Sequence, residues 1–105
     1  MEKMKLYTKR FTDERNEVHQ LEYFLRTCSA EQGRIYGIEI RKNDAAGNME
    51  NDMVEGLCES RNEAEKFLLR LAEGLAFPVE LPVLCDDFIT ERESERKQAF
   101  VQAAS

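Results

Sequence analysis

The sequence predicts an α+β domain: a four-stranded antiparallel β-meander followed by two C-terminal α-helices, the first packed on one sheet face. Three observations carry that reading. Residues 4–11, 17–28 and 35–42 alternate apolar and polar side chains with the period of a pleated strand. The connections between these stretches are short, which favours antiparallel neighbours. Residues 60–75, SRNEAEKFLLRLAEGL, carry instead the 3.6-residue period of a helix with one apolar side.

Met4 to Phe11 contains Leu6, Tyr7, Thr8 and Phe11 and reads as the first strand; Met4 and Leu6 are assigned to the face away from the helix. Thr12 to Asn16 is entirely polar and closes a hairpin. In the second strand, Glu17 to Cys28, one face carries Leu21, Tyr23 and Leu25. The other carries Val18, Phe24 and Cys28, interleaved with Gln20, Glu22 and Arg26. Gly33 turns the chain into a third strand, Ile35 to Lys42. There Tyr36, Ile38 and Ile40 oppose Ile35, Gly37, Glu39 and Arg41. Asn43 to Glu50 reads as a long, mobile loop of turn-forming residues, and Asp52 to Cys58 as a weaker fourth strand.

Ser60 and Glu63 have the spacing of a capping box, each side chain accepting from the other's backbone N–H. Ala64, Phe67, Leu68, Leu71 and Leu75 then fall within an arc of about 100°, the width of a core-facing stripe. Gly74 and Pro78 supply the stop, and Pro82 suits the first turn of a second helix bearing Leu84, Cys85 and Phe88. Residues 91–98, ERESERKQ, contain no apolar side chain. The expected organisation is therefore a single domain over residues 1–90, with residues 91–105 as a charged helical extension or a disordered tail.

A chain of 105 residues with 42% hydrophobic residues can bury a modest core without cross-links. Its net charge of −6 is spread evenly, −3 over residues 1–59 and −3 over residues 60–105. Nucleic-acid binding relies on clustered cations, and the only local excess is Lys3, Lys5, Lys9 and Arg10. Lysines on an edge strand also serve to block unwanted pairing, so nucleic acid is not the expected partner. The amino-terminal stretch is broken by charge at nearly every second position and forms no signal-peptide core. No run is long enough to span a bilayer. The expectation is a cytoplasmic protein with no membrane partner. Cys28, Cys58 and Cys85 are odd in number and about thirty residues apart, the pattern of free thiols rather than of a disulfide or metal framework.

Few residues invite a chemical reading. His19 is the only histidine, and no nucleophile motif accompanies it; it reads as an exposed strand residue. Asp86, Asp87 and Glu91 form the densest carboxylate group, with Asp87 and Glu91 one helical turn apart. They are the candidate site for a divalent cation or small molecule, although hard cations want six or more oxygen ligands and no binding loop supplies them. Helix capping and solvation explain the same residues. Glu39, flanked by Ile38 and Ile40, is aimed away from the core towards Arg26 or Glu22 on a neighbouring strand, and a cross-strand ion pair is expected there rather than a base. No cofactor and no catalytic residue is assigned.

The second face of the sheet is the more informative feature. Val18, Phe24, Cys28 and Ile35 place more apolar groups there than a solvated face usually carries. Either the second helix or the tail covers them, or they form a surface for a homodimer or a protein partner.

The strand Tyr36 to Ile40 (YGIEI), the capped amphipathic helix, Pro78, Leu81 and the Asp87-Phe88 pair together resemble a family of small proteins of clostridia and related Firmicutes, a domain of unknown function. The resemblance spans roughly Leu6 to Ile89 and implies no activity, ligand or site residue. The functional expectation is a non-enzymatic interaction or regulatory module that self-associates or binds a protein. The alternative is a metal-binding or small-molecule-binding protein using Asp86, Asp87 and Glu91.

Overall fold

The computed structural model describes residues 2–31 and 33–104, with side chains followed to residue 95. The elements run β1 (Glu2–Thr12), β2 (Val18–Ala30), β3 (Gly33–Asp44), β4 (Met49–Cys58), α1 (Arg61–Glu73), a single 3₁₀ turn (Pro78–Glu80) and α2 (Leu81–Ala104). The four strands form one antiparallel sheet in the order β1-β2-β3-β4. The expected meander and its two following helices are thus present.

The β2–β3 register pairs Leu25 with Ile38 and Tyr23 with Ile40, so their side chains share one face. Onto that face α1 lays Ala64, Phe67, Leu68 and Leu71. From α2, Leu81, Cys85 and Phe88 join the same cluster, and the Phe67 and Phe88 rings stack with centroids 4.4 Å apart. Both helices therefore occupy the same side of the sheet. Tyr23, fully buried beneath them, donates its hydroxyl to the Ala76 carbonyl at 2.9 Å, pinning the α1–α2 connection to the sheet.

Several local expectations are corrected. The β3–β4 connection is a tight turn of residues 45–48 rather than a long loop. Asp44 accepts from the N–H groups of Ala46 and Asn48 at 3.0 and 2.9 Å, and Gly47 takes a φ of 89°. Met4 and Leu6 do not reach the second face. A register shift between Lys5 and Tyr7 marks a bulge, Met4 pairs with Leu25, and Leu6 packs against the core. Ser60 caps α1 by accepting from the Glu63 N–H at 3.2 Å, but the Glu63 carboxylate turns to Arg92 at 2.9 Å.

The end of α1 also differs. Leu75 N–H bonds to Ala72 O and Ala76 N–H to Leu71 O, the paired bonds of a Schellman motif. Its left-handed residue is Leu75 (φ 52°), whereas Gly74 sits one position early with φ −86°.

Candidate functional site

Since α1 and α2 share one face, the other face of the sheet is covered by no helix or strand among the described residues. Strand pairing aligns its side chains in rows. From β4 to β1 these are Met49–Asn43–Gln20–Arg10, then Asn51–Arg41–Glu22–Thr8, then Met53–Glu39–Phe24–Lys5. Beyond them Gly37 lies beside Arg26 and Lys3, and Ile35 beside Cys28.

The centre of this face is a closed ion-pair network. Glu39, only 1% exposed, accepts from Arg26 Nη1 at 2.5 Å, from Lys3 Nζ at 3.2 Å, and lies 3.5 Å from Arg41 Nη2. Arg26 also donates to Glu55 on β4 at 2.7 Å. Burial works against the Arg26 charge, but its bonds to Glu55 and Glu39 outweigh that and raise its pKa. A second knot joins Glu22 to Lys5 at 3.2 Å and to the Asn43 amide at 2.8 Å. Gly37 admits the network's outer strand: a Cβ there would stand 2.3 Å from the Val54 carbonyl oxygen, where β4 shifts register.

The four residues expected to form an interaction surface behave differently from one another. Phe24 is 7% exposed, its ring roofed by Lys3 Nζ at 4.9 Å and Arg41 at 5.0 Å, so cations rather than a helix cover it. Cys28 and Ile35 are half-buried near the far end of the sheet, while Val18 is 49% exposed at the other end. The apolar exposure that sequence reading missed lies on β4, where Met49 is 60% and Met53 47% exposed on this same face. Strand alternation from Met49 onward would have found it, had that residue not been assigned to a loop.

The basic group of β1 is divided by the pleat. Lys3 and Lys5 are engaged by Glu39 and Glu22, Arg10 by Gln20 at 3.3 Å, and Lys9 lies on the helix side opposite Leu21. No continuous cationic stripe results.

Asp87 and Glu91 line one shallow pocket with Arg70 between α1 and α2, and Asp86 is not part of it. Asp86 and Asp87 are exposed on α2, and Glu91 faces Arg70 of α1 at 3.6 Å. Among the described residues, the group whose ligand atoms lie within 4.8 Å of one another is Asp13, Glu17 and His19. His19 is buried, not exposed as expected, because the β1–β2 register sets it opposite Phe11, whose ring stacks on it at 4.9 Å. Asp13 Oδ1 takes the N–H groups of Arg15 and Glu17 at 2.8 and 3.0 Å, and Oδ2 takes His19 Nε2 at 2.8 Å. The His19 bond, then these N–H groups, hold the Asp13 carboxyl below its usual 3.8. A metal on Nε2 would move the ring proton to Nδ1, which is buried without a hydrogen-bond partner. The trio works as a clamp on the hairpin.

All three cysteines are free; Cys58 and Cys85 are buried. Burial and the nearby Asp86 push the Cys85 thiol up to about 11. No helix among the described residues is long and apolar enough to cross a membrane.

A family model described as "Family of unknown function (DUF6514)" matches residues 2–91. Comparison with curated proteins and with solved structures gives no match.

Proposed function

The chain belongs to the DUF6514 family, a family of unknown function, and we propose that it is a non-enzymatic interaction module of the cytoplasm. In this reading it associates with itself or with a protein partner through the sheet face that its helices leave uncovered. The resemblance noted above supports a clostridial or related Firmicutes cell as its setting.

The observation that carries the reading is the one-sided packing of α1 and α2. An antiparallel sheet can leave one face to water, and such faces are normally polar throughout. Here the polar centre is rigid, each charge tied to partners on neighbouring strands, while Val18, Met49 and Met53 stand exposed around it. Exposed apolar groups rimming a preorganised polar patch favour a contact surface over a merely solvated one.

The test is site-specific photo-cross-linking in cells, with the probe at Val18 or Met53 and a control at Leu69, which is exposed on α1. Adducts are expected from the sheet positions and not from Leu69. Equal labelling at all three, or none at any, would remove the proposal.

A further inference from the structure

We propose that copies of this chain join edge to edge, β1 of one against β4 of the next, continuing the antiparallel sheet from copy to copy. This extends the interaction reading above from the open face to the two sheet edges, and its occupant there is a second copy of the chain.

Each edge strand has a single neighbour in the sheet, so half of its backbone hydrogen-bonding groups point outward. The two edges carry opposite charge. β1 holds Lys3, Lys5, Lys9 and Arg10 against Glu2 alone, whereas β4 holds Glu50, Asp52 and Glu55 with no lysine or arginine. Pairing β1 with β1, or β4 with β4, would set like charges across the new ladder, which is unfavourable. The closed two-fold edge dimers are disfavoured, and the heterologous pairing is left.

Strand parity permits it. Four alternating strands run β4 opposite in direction to β1, so a second copy in the same orientation meets β1 antiparallel, with its helices on the same side. Continuing the rows of the open face defines the register. Lys5 would face Met53 of the neighbouring copy, with Lys3 facing Glu55; on the helix side, Lys9 would face Glu50 and Met4 would face Val54. That register brings two opposite-charge pairs and one apolar pair together and no like-charge pair. The edge is guarded while unoccupied: the Asp52 carboxylate holds the Met53 N–H at 2.9 Å and must release it when a strand arrives. A contact between two different edges does not close on itself, so the product is an open chain of copies.

The experiment exchanges the Lys9 and Glu50 charges, neither of which takes part in an ion pair within the described chain. Sedimentation velocity follows wild type, Lys9→Glu, Glu50→Lys and their equimolar mixture, with circular dichroism confirming that each is folded. Wild type is expected to grow with concentration and to dissociate as salt is raised. Each variant alone, now carrying the same sign at the facing positions 9 and 50, should associate roughly five- to tenfold more weakly. The mixture should recover, because each variant's edges complement the other's. Lys9→Gln and Glu50→Gln should weaken association less, in the same direction. A wild type that stays at 12.2 kDa up to about 1 mM overturns the proposal. So does association indifferent to both reversals. If copies stay apart while Met53 still cross-links to another protein, edge pairing falls and the interaction reading stands; if both fail, both fall.

Discussion

Arg26 on β2 and Glu39 on β3 form an ion pair of 2.5 Å with both side chains withdrawn from water, on a sheet face that no other element among the described residues covers. The burial is made by the neighbouring side chains themselves. Glu39→Leu would leave Arg26, Arg41 and Lys3 facing one another, and breaking such a buried pair costs about 3–5 kcal/mol. Adding Arg26→Met should recover most of that loss, since apolar replacement of both partners is often neutral. Urea unfolding of the two singles and the double tests this; simple additivity of the losses would contradict it.

Gly37 is required by a close approach. A methyl group at this position meets the Val54 carbonyl at 2.3 Å and the Glu55 Cα at 2.9 Å, and backbone cannot yield as a flexible side chain can. Gly37→Ala is expected to destabilise by about 1–3 kcal/mol, the usual cost of overpacking. It should also disturb the β4 amides next to the shift in an NMR spectrum, with α1 unaffected.

Leu75 holds the left-handed position that ends α1, with φ 52°. Left-handed backbone costs a non-glycine residue about 1–2 kcal/mol, and Leu75 is 38% exposed and stands outside the apolar cluster. Leu75→Gly is therefore expected to stabilise the protein by up to about 1 kcal/mol, read from the thermal midpoint. A lower midpoint would mean that its apolar contacts outweigh the strain.

Alkaline stability should depend on Tyr23. Burial, then the nearby Glu80, push its phenol from 10.0 up to about 12, so the folded state favours the neutral form. The sign follows: this contribution is fully present below pH 10 and is lost as pH rises towards 12. Burial of Cys85, raised to about 11, adds a loss that begins above the free-thiol value of 9.0. Tyr23→Phe should flatten the fall in stability across that window, measured by urea midpoints at successive pH values.

The candidate surface was partly legible in the sequence. Alternation assigns Phe24 and Glu39 to the face away from the helix, with Arg26 or Glu22 as the neighbour of Glu39; the register makes it Arg26. Burial of Phe24 under Lys3 and Arg41 was not legible, because a cation's reach across two strands depends on the register of both ladders. His19 was misread for a related reason. Its burial comes from Phe11 across the hairpin, and Phe11 in turn stacks on Phe77 at 5.4 Å, sixty-odd residues later in the chain.

By itself the sequence determined where most of the backbone pleats and where it coils, which side chains of β2 and β3 share a face, and that Ser60 starts α1. Those outcomes depend on period and on hydrogen bonds spanning three or four residues. Only the tertiary structure decided that both helices take the same side of the sheet, that β1 and β4 shift register at Leu6 and beside Gly37, and that Leu75 rather than Gly74 turns the chain. Each of these settles a competition among groups distant in sequence, where packing and ladder continuity outweigh the preference of any single residue.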